Sequence, residues 1–127
     1  EQVKELSIPI GLVTSSAKEA AVLSFSGTNF MEFFQVFITG DLVESAKPSP
    51  DCYLMVAERL GLKPENILVF EDSNAGVSAA TDAGCQTVVI PDYLPIKQDL
   101  LDKCSHVLAS FEDAYFLIDK IKTQIKD

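Results

Sequence analysis

A single histidine, His106, and three widely spaced cysteines, Cys52, Cys85 and Cys104, leave this sequence without the means for a zinc site or a disulfide framework. No Cys-x-x-Cys pair occurs. The cysteine usage reads as a reducing cytoplasm. Basic residues are also scarce: ten Lys and Arg stand against nineteen Asp and Glu, for a net charge of −9, and they are spread along the chain. Electrostatic capture of nucleic acid or of an anionic membrane is therefore not expected. No apolar run approaches the length of a membrane span, and the opening EQVKELSIPIG lacks the basic region and apolar stretch of a secretion signal. Glycine and proline, six of each, are scattered rather than clustered, so no linker divides the 127 residues. With 47% apolar composition the chain suits one α/β domain with one core.

Short β-rich runs alternate with helical patterns. Residues 8–13 read as a first strand, with Pro9 near its start or on a free edge, followed by the polar stop Thr14-Ser15-Ser16 and a helix over about 17–25. Residues 36–39 make a second strand, and Gly40-Asp41 turns the chain. Ser49 or Pro50 opens a helix on which Tyr53, Val56, Ala57 and Leu60 recur at helical spacing until Gly61 caps it. A third strand is expected at 67–70, a small-residue helix at 74–83 closed by Gly84, a fourth strand at 86–90 and a short fifth at 107–108. A last amphipathic helix over about 112–125 places Ala114, Leu117, Ile118 and Ile121 on one face. This alternation implies a mostly parallel sheet with helices on both faces and right-handed crossovers.

Ligands of such sheets bind beyond the carboxyl ends of the strands, so the residues there matter most. Thr14 follows the first strand, Lys47 the second strand and its turn, and Glu71 with Asp72 the third. An acidic pair at a helix N-terminus would repel a phosphate unless a cation sat between them, and hard carboxylate oxygens suit Mg²⁺. Each residue also has a plainer reading: Thr14 or Ser15 as a helix cap, Lys47 as a solvated lysine, the acidic pair as a complement to the helix dipole. Taken together at successive strand ends, a hydroxyl, a fixed cation and a metal-binding pair are the parts that hold a phosphoryl group and spread its developing charge. Cys85 reads as a small buried hydrophobe and His106 as structural.

At these residues the sequence resembles the haloacid dehalogenase (HAD) superfamily, and within it the β-phosphoglucomutase-like phosphatases and mutases. The resemblance rests on GLVTSS at residues 11–16, KPSPDCY at 47–53 and, most specifically, VFEDSNAGVSAATDAGC at 69–85. It covers about residues 6–95. It implies a Rossmann-like core, with Thr14 binding the phosphoryl group and Ser15 helping through its backbone. Lys47 would steady the nucleophile and the transferring phosphate, and Glu71 and Asp72 would hold Mg²⁺, with Asp72 as the inner ligand. The substrate implied is a small phosphorylated metabolite. A two-component receiver domain also combines acids, a hydroxyl and a Lys-Pro, but its acidic pair comes early and its lysine late, the reverse of the order here.

The family's aspartate nucleophile lies in a DxD segment after a first strand, and no Asp-x-Asp occurs in these 127 residues. The cap domain that selects substrate lies between that segment and the GLVTSS motif. By the resemblance residues 1–127 form a partial core, carrying the second, third and fourth motifs and lacking the central nucleophile strand and the cap. The phosphoaspartyl chemistry then needs a carboxylate from a preceding segment, since neither Glu71 nor Asp72 can bind the metal and attack at once. The 127 residues alone are expected to be inactive. They are also expected to be unstable, to self-associate through exposed strand edges, or to depend on that segment. The alternative is a non-catalytic, truncated or degenerate binding module.

Overall fold

The computed structural model describes residues 11–13, 36–91 and 95–126. Strand β1, Gly11–Val13, pairs in parallel with β2, Val36–Ile38. A 3-10 turn at Gly40–Leu42 leads toward helix α1, Asp51–Leu60. After a second such turn at Pro64–Asn66 come strand β3, Leu68–Glu71, helix α2, Asn74–Ala83, and strand β4, Gln86–Val89. Beyond them lie the short helix α3, Gln98–Leu101, strand β5, His106–Val107, and helix α4, Phe111–Lys126. The expected helix at 17–25 and the first residues of the expected strand at 8–13 lie outside the described residues.

All described strand pairs are parallel, as the alternation of strands and helices requires. They fall into two pieces, β1-β2 and β3-β4-β5. Among the described residues β1 is hydrogen-bonded to β2 alone and β3 to β4 alone, the arrangement expected if one more strand belongs between the pieces. Helix α1 joins them. Its Cys52, Tyr53 and Val56 pack in one cluster with Val36 and Ile38 of β2, Val69 of β3 and Ala79, Ala80 and Ala83 of α2. The alanines leave α2 thin enough for α1 to lie close against it. A second cluster gathers Val77, Val89, Ile96 and Leu100, so the single core expected from composition is two among the described residues. The chain after β4 folds back over α2 and makes the difference.

Local chemistry accounts for the helix ends. Ser73 caps α2 by accepting a hydrogen bond from the Gly76 N–H at 3.1 Å. Gly61 and Gly84 close α1 and α2 at φ 67° and 93°, the left-handed region where a side chain would be strained. Four strands differ from expectation by one residue: Val36–Ile38 and Gln86–Val89 each stop one residue early, β3 is shifted to end on Glu71 rather than before it, and β5 begins at His106. Helix α3, four residues long, is too short to leave a periodic signal. No helix among the described residues is long and apolar enough to cross a membrane.

The buried thiols give the core a pH dependence. Burial, reinforced by nearby Cys52, pushes the Cys85 thiol up to about 11. Burial raises Cys52 as well, against the opposing pull of Lys47. Between about pH 9 and 11 the unfolded chain gives up the Cys85 proton while the folded chain keeps it, so stability falls as pH rises. Urea unfolding across that range should show a slope of at most about 1.4 kcal/mol per pH unit from this thiol. Cys85→Ala should flatten the curve by that amount. An unchanged slope would show that Cys85 is not the group responsible.

Candidate active site

Along β3 the residues alternate: Leu68 and Phe70 are exposed, Val69 and Glu71 buried. Because Glu71 is the last residue of the strand, it takes the inward position that an apolar side chain would normally fill. A buried carboxylate is costly unless it is paired and hydrogen-bonded. Here it is both. Lys47 Nζ lies 2.5 Å from Glu71 Oε1, and the Tyr53 hydroxyl donates to the same oxygen. The ammonium also sits 5.3 Å from the centre of the Tyr53 ring, within reach of a cation–π contact.

The KPSP segment brings these two donors to the strand. The Ser49 N–H donates to the Ala46 carbonyl at 3.0 Å, closing a turn around the cis Lys47–Pro48 bond. Pro50 is the N-cap of α1, its carbonyl accepting from the Tyr53 and Leu54 N–H groups at 3.1 and 3.0 Å. Ser49 Oγ accepts from the Asp51 N–H at 3.3 Å and satisfies an otherwise orphan donor of the first turn. Lys47 is thus held in the loop before α1, and Tyr53 on the first buried turn of the helix. Burial and the Glu71 carboxylate push the Tyr53 hydroxyl well above its ordinary value, so it remains a donor.

Gly76 completes the enclosure. A β-carbon there would come within 2.5 Å of Glu71 Oε2, Cδ and Oε1. The first turn of α2 therefore forms a cradle that only glycine leaves open, and the positive end of the helix dipole lies beside the carboxylate. Asn74, at the start of the same helix, ties down the segment after β4: its Oδ1 accepts from the Lys97 N–H at 2.8 Å, and its Nδ2 donates to the Pro95 carbonyl at 3.3 Å.

Of the residues singled out in the sequence, the structure brings Lys47 and Glu71 into contact. It separates Glu71 from Asp72 in character: one is buried and the other exposed. Glu71 takes an inward position in the alternation of β3, and Asp72 follows after the strand has ended. The expectation that both acids follow the strand is corrected to one at its end and one beyond. Thr14 and Ser15 lie outside the described residues. Tyr53 and Gly76 were not foreseen as site residues. Tyr53 follows the apolar period of α1, and a periodic pattern does not reveal where its hydroxyl points. Gly76 could have been suspected as a glycine inside a helical run.

Among the described residues no three His, Cys, Asp or Glu side chains are gathered as a ready-made metal cage. The donors that are present still fit Mg²⁺, which takes one or two protein carboxylates and fills its octahedron with water and phosphate oxygens. Glu71 in its cradle and the exposed Asp72 next to it would be the residues to hold it.

Residues 1–90 match the haloacid dehalogenase-like hydrolase family. The chain belongs to that family. It is 40% identical over 88 residues to the phosphorylated carbohydrates phosphatase of Thermotoga maritima, covering 69% of this chain and 41% of the relative. A Thermotoga maritima crystal structure provisionally described as a β-phosphoglucomutase superposes with a TM-score of 0.74 at 34% identity, over 84% of this chain and 50% of the other. The structure of CbbY from Rhodobacter sphaeroides in complex with phosphate superposes with a TM-score of 0.75 at 29% identity, over 87% and 50%. The chain thus spans less than half the length of the curated relatives it matches. Within the HAD-like hydrolases its relatives are phosphatases and β-phosphoglucomutase-like proteins, and its fold is the Rossmann-like α/β core of that family.

Proposed function

We propose that this chain supplies the phosphate grip and the metal half of a Mg²⁺-dependent phosphoryl-transfer enzyme, a phosphatase or sugar-phosphate mutase acting on a small phosphorylated metabolite. The observation that carries the reading is the Lys47–Glu71 pair at 2.5 Å, a fixed cation anchored at the carboxyl end of the parallel strand β3, with a second carboxylate, Asp72, next along the chain. That is where such sheets bind ligands. The phosphatase relative and the phosphate-bound neighbour support the same chemistry.

In this reading residues 1–127 are a partial core domain, and an aspartate from a segment not among them forms the phosphoaspartyl intermediate. Lys47 neutralises charge on the nucleophile and the transferring phosphoryl group, held in place by Glu71. Thr14 and the Ser15 backbone hydrogen-bond the phosphoryl oxygens. Asp72 and Glu71 hold Mg²⁺, which when bound neutralises phosphate charge, and Asp72 is the more accessible of the two. The 127 residues alone are inactive, and the setting is cytoplasmic. The edges of β1 and β3 that are unpaired among the described residues take either the preceding segment or a second copy.

The protein made from its native reading frame should hydrolyse a generic aryl phosphate and stop when Mg²⁺ is chelated. Asp72→Ala should raise the Mg²⁺ concentration needed by at least about tenfold. Hydrolysis indifferent to chelation, or an Asp72→Ala protein with an unchanged requirement, would remove the metal assignment.

A further inference from the structure

We infer that Tyr53 is a positioning residue which limits Glu71 to offering a bound cation one oxygen, and thereby biases the site toward Mg²⁺ over Ca²⁺. The inference rests on the reading of Glu71 as part of a cation site and adds to it a residue that sets cation choice.

Each carboxylate oxygen has about two lone-pair sites. At Glu71 Oε1 two donors converge, the Lys47 ammonium and the Tyr53 hydroxyl. Together they saturate that oxygen. Glu71 then has Oε2 to give, the atom lying over Gly76. Rotation of the carboxylate to present both oxygens would break two charge-assisted hydrogen bonds in a nearly dry setting, where Tyr53 is 5% and Glu71 9% exposed. Mg²⁺ demands a near-ideal octahedron and is served by single oxygens, whereas Ca²⁺ accepts more ligands and readily takes a carboxylate through both. A donor that occupies one oxygen therefore disfavours the larger ion. Lys47 alone would leave one lone pair of Oε1 unfilled, so the hydroxyl completes the saturation. The ring has a separate task, since it packs in the α1 cluster and lies beneath the ammonium.

Tyr53→Phe keeps the ring and deletes the hydroxyl. In protein from the native reading frame, MgCl₂ and CaCl₂ are titrated separately by calorimetry. The expected result is a Mg²⁺ affinity lower by about 10- to 100-fold, the usual effect of losing an outer partner of a metal ligand. Ca²⁺ affinity should fall less or rise, so the ratio of the two moves toward calcium by about tenfold. A merely structural tyrosine would weaken both ions by the same factor, and an unchanged ratio overturns the inference while leaving the phosphoryl-transfer reading intact. Unsubstituted protein that binds neither ion overturns both. If Tyr53→Phe does not fold, infrared difference spectra of the unsubstituted protein decide the matter, with the Glu71 bands assigned through Glu71→Gln. Added Mg²⁺ should widen the separation of the carboxylate stretches, as one-oxygen binding does, and a narrowing overturns the inference.

Discussion

Replacing Gly76 with alanine should leave helix α2 formed and drive the Glu71 carboxylate out of its cradle. Two effects of opposite sign compete. Alanine in a helix interior is favoured over glycine by roughly 0.5–1 kcal/mol. Against this, the new methyl group would overlap three atoms of the Glu71 carboxyl. Moving the carboxyl off the methyl group disturbs its contacts with Lys47 and Tyr53, and separating a buried ion pair costs about 3–5 kcal/mol when one charge is left behind. Lys47 keeps 17% of its side chain in solvent, so the full penalty does not apply. A net loss of about 2 kcal/mol in urea unfolding is the expected balance. Turnover should suffer more, by about a thousandfold, because the anchor of the lysine and one of the two carboxylates are displaced together. An alanine protein with parental turnover would mean that Glu71 in this position has no part in the chemistry.

Much of the fold was legible because its signals are local. The bounds of α2 follow from the Ser73 cap and the Gly84 stop, both of which act within a few residues of the helix end. The parallel sheet follows from the alternation of elements, and the division into two pieces from the place the family gives its central strand. The site was legible as a set of residue types at strand ends. Its internal geometry was not, for two physical reasons. Residues 67–70 are all apolar, so the run does not show which parity along β3 faces the core, and that parity decides which acid points inward. The contacts that hold Glu71 also cross 24 positions to Lys47 and 18 to Tyr53, distances over which sequence periodicity carries no information. Tyr53 illustrates the limit well. Its ring obeys the helical pattern and its hydroxyl obeys the site.

The Lys47–Glu71 pair should be strongly coupled in stability and inseparable in activity. Lys47→Met leaves a carboxylate that is 7% exposed with the Tyr53 hydroxyl as its remaining donor of the two, and should cost about 2–4 kcal/mol. Glu71→Gln leaves a lysine that is 17% exposed and able to turn to water, and should cost less, about 1–2 kcal/mol. The double variant removes both charges together, so neither is stranded. Its loss should fall below the sum of the single losses by about 1–3 kcal/mol, the range for residues in direct contact. Activity should behave differently. Lys47→Met should lower turnover by about 10²- to 10³-fold, as loss of a positioned charge at the reacting centre does. The double variant should recover stability and recover none of that turnover, because the transferring group needs the ammonium itself. Independent, additive losses in unfolding would show that the 2.5 Å contact contributes little. Turnover rising along with stability in the double variant would show that Lys47 serves the fold alone.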